Sequence, residues 1–218
     1  MSSRAVIILS GGLDSTTLLY DLIDQKYSIH AVTFDYGQRH KKEISCAAKT
    51  CERLKIPQKI IDVNVLNELA PSSLTRTDWE VPEGNYADDN MKQTVVPNRN
   101  MVLLSLAAAF AIGIKANHLF YGAHAGDHAI YPDCRPAFVS AMTTAFHLCD
   151  WNDLTLSAPY LQRSKGDIVK RGLSLGVDYS NTWTCYKGGE KSCGKCGSCD
   201  ERLKAFTEAG VADPLEYQ

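Results

Sequence analysis

Residues 6–22 read VIILSGGLDSTTLLYDL. Four apolar residues, Val6 to Leu9, run into the pair Gly11-Gly12. Beyond it, Leu18, Leu19, Leu22 and Ile23 recur at helical spacing, so a buried strand enters a glycine turn and a helix leaves it. Such a turn presents free backbone N–H groups at the positive end of a helix dipole, which suits a phosphate. The alternative is an ordinary strand-to-helix turn, in which the glycines relieve sterics and Asp14 or Ser15 caps the helix. The string lacks the lysine of a Walker loop and the spacing of the G-x-G-x-x-G dinucleotide fingerprint.

The alternation continues outward. Residues 28–34 (SIHAVTF) read as a second strand, 40–54 as a helix and 59–63 (KIIDV) as a third strand. An Ala- and Leu-rich helix over 100–115 precedes a fourth strand over 118–121. This pattern predicts a Rossmann-like α/β fold, a parallel sheet with helices on both faces. Ligands of such sheets sit at the carboxyl ends of the strands. The glycine turn, DYGQRH (35–40) and GAHAGDHAIYPDCR (122–135) all follow predicted strands and should converge on one cleft. Residues 70–97, polar and punctuated by proline, are long for a connection in a compact domain and read as a flexible cover over that cleft.

A chain of 218 residues, 44% hydrophobic, can bury one good core, so one domain spanning 1–218 is expected. A formal net charge of −2 gives no overall basic character of the kind that marks many nucleic-acid binders. With no signal-peptide pattern and no apolar run near ~18 residues, a cytoplasmic protein without a membrane span is expected.

Eight cysteines in a reducing compartment argue for a metal rather than disulfides. Four of them, Cys185, Cys193, Cys196 and Cys199, follow a C-x7-C-x2-C-x2-C pattern inside a small element over 183–205. Four thiolates suit a closed, structural zinc site. An iron–sulfur cluster is the alternative, because C-x2-C-x2-C occurs in ferredoxins, although no Cys-Pro follows here. Cys46, Cys51 and Cys149 read as small core residues, and Cys134 as a candidate reactive thiol in a tight turn.

The SGGLDS string resembles the SGGxDS signature of the PP-loop ATP pyrophosphatases. The ordered set SGGLDSTT, TFDYGQRH, LTRTD, VPNRN, YPDCR and TCY…CGKCGSC resembles one branch of that superfamily, the QueC family of queuosine biosynthesis. The resemblance runs from about residue 4 to 199. It implies an ATP-dependent ligase that converts 7-carboxy-7-deazaguanine and free ammonia into the nitrile preQ0 through adenylated acid and amide, with magnesium and a structural zinc. It also implies roles for particular residues. Leu9, Ser10, Gly11, Gly12, Leu13, Asp14, Ser15 and Thr16 form the ATP loop, with Asp14 and Ser15 counted as catalytic. Arg39 and Arg99 are candidates for phosphate or the substrate carboxylate, since arginine suits bidentate recognition; a surface salt bridge is the alternative for each. Asp127 or Asp133 is a candidate to read a guanine-like base, against turn capping. Lys165 is a candidate to neutralise phosphate charge, against a solvated lysine. A homodimer is the expected assembly.

Leu13 stands where several members of that family carry glutamine, and Asn98 where they carry glycine. GAHAGDHAI (122–130) replaces their usual wall, so release of the amide, or use of another acid, is open. Within it His124 and His128 are four apart, a metal-binding spacing on a helix, although Gly126 weakens that helix. Other PP-loop enzymes, ammonia-dependent NAD synthetase among them, would not carry the four-cysteine tail. A zinc-knuckle nucleic-acid module is the rival reading of that tail, with Lys187, Lys191 and Lys195 around it.

Overall fold

The structure, a computed structural model, describes residues 3–86 and 89–218. Ala87 and Asp88, in the middle of the expected cover, lie outside the described residues.

Five strands, β1 (Arg4–Ile8), β2 (Ser28–Asp35), β3 (Gln58–Asp62), β4 (His118–Phe120) and β5 (Thr155–Ser157), form one sheet in the order β3-β2-β1-β4-β5. Every pairing is parallel. The helices are α1 (Leu13–Asp24), α2 (Lys42–Leu54), α3 (Val65–Leu69), α4 (Arg99–Gly113), α5 (Pro136–Leu148), α6 (Lys165–Ser174) and α7 (Gly197–Glu208). Strand alternation assigns each side chain to a face. Val6, Val32, Phe34 and Leu119 point into one core with Leu104, Ala107 and Ala111 of α4 and Met142 and Phe146 of α5. Ala5, Ile7, Ile29, Ala31 and Phe120 point into the other, with Leu18, Leu19 and Leu22 of α1, Ile168 and Val169 of α6, and Phe206 of α7. Both faces are thus covered, and the central strand β1 is a nearly continuous apolar run.

The strand order reverses between β1 and β4, and that switch point opens a crevice at the carboxyl ends of the strands. Gly122 sits at its floor: a β-carbon there would lie 3.2 Å from the Ser15 amide nitrogen, so the chain leaving β4 runs directly against the start of α1. Gly11 is the tighter constraint. Its φ is +90°, and a β-carbon would lie 2.0 Å from the Glu43 carbonyl oxygen of α2. Backbone strain and backbone overlap coincide there, so Gly11→Ala is expected to lower the melting temperature by roughly 10 °C. Thermal denaturation followed by circular dichroism checks it.

Asn98 holds the position where the resemblance expected glycine. It is the N-cap of α4 at φ +59°, ψ 13°, a left-handed conformation that asparagine tolerates better than most residues. Of the described residues in 70–97, Tyr86 lines the crevice, and the buried side chains of Leu74, Val81, Tyr86, Met91 and Val96 anchor the segment. An antiparallel bridge between Glu83 and Cys196, and a hydrogen bond from the Gly84 N–H to the Lys195 carbonyl, tie it to the cysteine element. Cys46 and Cys51 are buried as expected, but Cys149 is exposed. It lies at the end of α5, where the helix runs out past the last residue it buries, Phe146. No helix among the described residues is long and apolar enough to cross a membrane.

Candidate active site

The start of α1 has no side-chain cap: Gly12 is its N-cap and offers none. By contrast α6 closes its own N-terminus with a reciprocal Ser164–Asp167 capping box. The first amides of α1 are therefore left for a ligand. Two hydroxyls frame them. Ser10 Oγ lies 3.0 Å from Ser15 Oγ and accepts from the Gly12 N–H at 3.1 Å. Leu9, Ser10, Gly12, Leu13, Asp14 and Ser15 line one cavity together with Arg99, Asp127 and Lys165, which come from α4, from the turn after β4 and from the first residue of α6.

Lys165 is enclosed rather than solvated, its side chain only 9% exposed. Its Nζ lies 3.4 Å from Asp14 Oδ2 and pairs with Glu201. Burial opposes its charge, but Asp14, Glu201 and Asp127 overcome that and push its pKa up, so it stays cationic. Asp14 Oδ1 is buried with no hydrogen-bond partner among the described residues, a carboxylate oxygen costly to leave so. Arg99 donates from Nη1 to the Tyr36 hydroxyl at 3.3 Å and lies over that ring. Burial opposes its charge too, while Tyr36, Asp133 and Tyr131 hold it firmly protonated. Asp127 accepts from the Tyr86 hydroxyl at 3.1 Å on one oxygen and from the His124 N–H at 3.1 Å on the other.

Four of the expected site residues do not line the cavity. Arg39 donates from Nη1 to the carbonyl oxygens of Arg76 and Trp79, so its guanidinium staples the cover instead. Asp133 accepts from the Asn100 N–H at 3.3 Å, in the first turn of α4. Thr16 is fully buried, and Gly11 is walled off by α2. His124 and His128 do not form a ligand pair. Their segment, Ala125–Ala129, is a 3-10 turn in which residues four apart do not align, and His124 Nδ1 is taken by the Gly126 N–H. Cys134 is buried with its thiol pushed up by desolvation, with Asp127 and Asp133 adding to it, which opposes a thiolate.

The fold adds residues that no local pattern marked. Glu201 reaches the lysine from α7, two residues beyond the last cysteine of the cluster. Tyr86 comes from the cover, and Tyr131 and Tyr186 complete an aromatic wall, with Tyr86 and Tyr131 centroids 6.0 Å apart. Glu43 of α2, which also lines the cavity, is pushed up to about 8 by burial, against the Gln38 hydrogen bond and Arg99. His40 is pushed down to about 3 by burial, with Arg99 adding to it. An unfolded glutamate titrates near 4.5, so between about pH 4.5 and 8 the unfolded chain holds fewer protons than the folded one at this site. The contribution of Glu43 to stability therefore falls as the pH rises through that window. Glu43→Gln removes the fall: its melting temperature should match wild type near pH 4.5 and exceed it at pH 8, as measured by pH-resolved thermal denaturation.

The four cysteines come together as their spacing requires. Their Sγ atoms lie within 4.8 Å of one another, all are buried, and the group could hold a metal ion. Cys193 Sγ and Cys199 Sγ are 3.9 Å apart, close to the ~3.8 Å edge of a tetrahedron with 2.3 Å metal–sulfur bonds. Backbone N–H groups of Cys193, Lys195 and Cys196 point at sulfurs of Cys185 and Cys193, which favours thiolates. The donor set thus fits zinc.

Comparison with known proteins agrees with this architecture. The family model described as queuosine biosynthesis protein QueC matches residues 4–210. A 7-cyano-7-deazaguanine synthase of Methanoregula boonei is 74% identical over 215 residues, covering 99% of each chain. One from Caldicellulosiruptor saccharolyticus is 61% identical over 99% of this chain and 96% of its own. Among solved structures, an NMN synthetase of Francisella tularensis superposes with a TM-score of 0.53 at 15% identity, over 96% of this chain and 78% of that one, which shows the shared fold.

Proposed function

The chain belongs to the QueC family, and on that premise we propose that it is an ATP-dependent carbon–nitrogen ligase converting 7-carboxy-7-deazaguanine and ammonia into 7-cyano-7-deazaguanine, in queuosine or related 7-deazaguanine biosynthesis. The observation that carries the reading is the convergence, in one cavity, of an uncapped glycine turn with Asp14, Lys165, Arg99 and Asp127.

A carboxylate is a poor acyl donor. Transfer of AMP from ATP to its oxygen supplies a leaving group that ammonia displaces, giving the amide. A second transfer, to the amide oxygen, followed by elimination gives the nitrile. One phosphate-binding device serves both steps. The amides of residues 13–15 and the Ser10 and Ser15 hydroxyls hold the pyrophosphate, and Lys165 offsets the negative charge that develops as it departs. Magnesium, held by Asp14 through its orphaned oxygen, would neutralise the phosphates. Arg99 receives the reacting carboxylate in a planar fork. Asp127 accepts the N–H donors of the guanine-like edge, in exchange for its bond from Tyr86, and the Tyr86, Tyr131 and Tyr186 rings offer a stacking wall.

Cys185, Cys193, Cys196 and Cys199 would hold zinc with no open position. We read the zinc as a clamp that seats the cover and α7, rather than as a nucleic-acid knuckle, because its element packs on the cavity wall and bridges to Glu83. We place the protein in the cytoplasm, working as one domain over 1–218 and forming a homodimer.

Incubating the purified protein with 7-carboxy-7-deazaguanine, ammonia, ATP and magnesium, and following products by mass spectrometry, tests the reading. Nitrile with two AMP per turnover supports it. Amide alone identifies a synthetase that stops halfway, and no deazapurine product rejects the substrate.

A further inference from the structure

Glu43 is a buried carboxylate that the adenylation chemistry above does not use. It lines the same cavity as the glycine turn, yet the hydrogen bond and close contact that the described residues give it both fall on Oε1: Gln38 Nε2 donates at 3.1 Å and His40 Nε2 lies 3.5 Å away. Gln38 is itself fixed, donating to the Phe34 carbonyl and accepting from the Tyr36 N–H, so it orients Glu43 rather than competing for it. His40, 4% exposed, also lines the cavity, and its Nδ1 is buried without a hydrogen-bond partner among the described residues. Arg99, the proposed carboxylate fork, is close enough to bear electrostatically on both residues. A carboxylate oxygen and an imidazole nitrogen, both short of donors, therefore stand beside the place where the acyl carbon would be held. What they lack is a small molecule rich in N–H.

We propose that Glu43 and His40 form the seat for ammonia and that Glu43 is the base taking protons from its nitrogen. This deepens the reading above and rests on it. The nitrogen lone pair forms the C–N bond, the C–O bond to the adenylate breaks with its electron pair on AMP, and one N–H proton passes to ionised Glu43. Glu43 then returns that proton to solvent. In the second activation, adenylation of the amide oxygen makes the nitrogen acidic and it sheds one proton. The other then passes to Glu43, its N–H electron pair completing the C≡N bond as the C–O bond breaks with its pair on AMP. Both leave the same nitrogen, so one base in one place serves the amide and the nitrile. The elevated pKa set by burial places Glu43 near the pH of a working enzyme, as an effective general base requires.

The test separates activation from nitrogen chemistry. Wild type is first assayed for 7-carboxy-7-deazaguanine-dependent exchange of pyrophosphate into ATP and for amide and nitrile. Absence of both overturns the function itself, independently of Glu43. In Glu43→Gln the exchange should stay within about 2-fold while product formation from ammonia falls about 100-fold or more. Hydroxylamine, neutral near pH 7 and a stronger nucleophile, should restore turnover as the hydroxamate, and Glu43→Asp should recover part of the ammonia reaction. His40→Phe, which keeps a ring and removes the nitrogen, should raise KM for ammonia about 10-fold with kcat little changed, and is read even if the Glu43 variants fold poorly. Exchange falling in parallel with product in Glu43→Gln, or ammonia kinetics unchanged in His40→Phe, overturns the proposal.

Discussion

Replacing Asp14 by alanine is expected to reduce ATP-dependent turnover by about 1,000-fold or more, with zinc content and fold unchanged. The carboxylate stands at the first turn of α1, with one oxygen 3.4 Å from Lys165 and the other buried without a partner among the described residues. An oxygen left so in the free protein is desolvated for a ligand that arrives later. Removing it costs the fold little, because Lys165 keeps Glu201 as its counter-charge and Asp14 makes no cap to α1. What is lost is the charge that would hold magnesium and aim the departing pyrophosphate. Preorganised charges of this kind are each worth roughly two to three orders of magnitude in rate, and more where a metal is lost with them. Acid-dependent pyrophosphate exchange should disappear together with the nitrile, unlike the split expected for Glu43. Retained exchange in Asp14→Ala would contradict the assignment of the turn.

The second large effect is expected on removing the metal. The buried core around the cluster consists of the four cysteines with Cys46, Val81 and Trp183, with Tyr186 and Tyr217 packed against it, too little apolar surface to hold 185–201 without an ion. Stripping zinc with a chelator, or changing Cys196 to Ser, should therefore unfold this element locally. Two consequences follow from what it carries. The bridge from Cys196 to Glu83 releases the cover and Tyr86 with it, and the start of α7 withdraws Glu201 from Lys165. Activity should fall at least about 100-fold, although none of the four cysteines touches the reacting atoms. Hydrogen exchange should show lost protection over 83–86 and 185–201 while β1 and β2 stay protected. Further along α7, Arg202 is held by Asp213 at 2.7 Å and by Thr182, and Phe206 sits in the main core, so the C-terminal half of the helix should remain. Global unfolding on chelation, or full activity without metal, would each reject this division of labour.

The two expectations draw on different parts of the sequence. The glycine turn is written in adjacent residues: an apolar run, two glycines and a helical repeat force a strand, a turn and a helix wherever they occur. Alternation set the strands of a parallel sheet, with observed bounds within a residue or two of those expected for β2 and β3. The cysteine spacing carried its cluster, since four ligands within fifteen residues need only a short chain to close on one point. These are local features, and local physics decides them.

The three-residue β5 was not legible, because a strand so short exists by pairing with β4 and has no pattern of its own. Nor was the fate of the arginines and acids. Arg39 and Arg99 look equivalent in the chain, yet one staples a loop and the other enters the cavity, and the choice lies in which carbonyls and hydroxyls the fold brings beside each. Glu201 and Tyr86 had no motif at all. They reach the site from α7 and the cover through the same cysteine element. Glu43, one glutamate on a helix face by sequence, becomes a buried carboxylate in the cavity wall only when Gln38, His40 and Arg99 surround it. The sequence by itself determined the sheet, the glycine turn and the cysteine cluster, because each depends on neighbours along the chain. Tertiary structure alone decided which charges meet, because burial and a partner from a distant segment set the energy of a charge, and neither is a property of the residue that bears it.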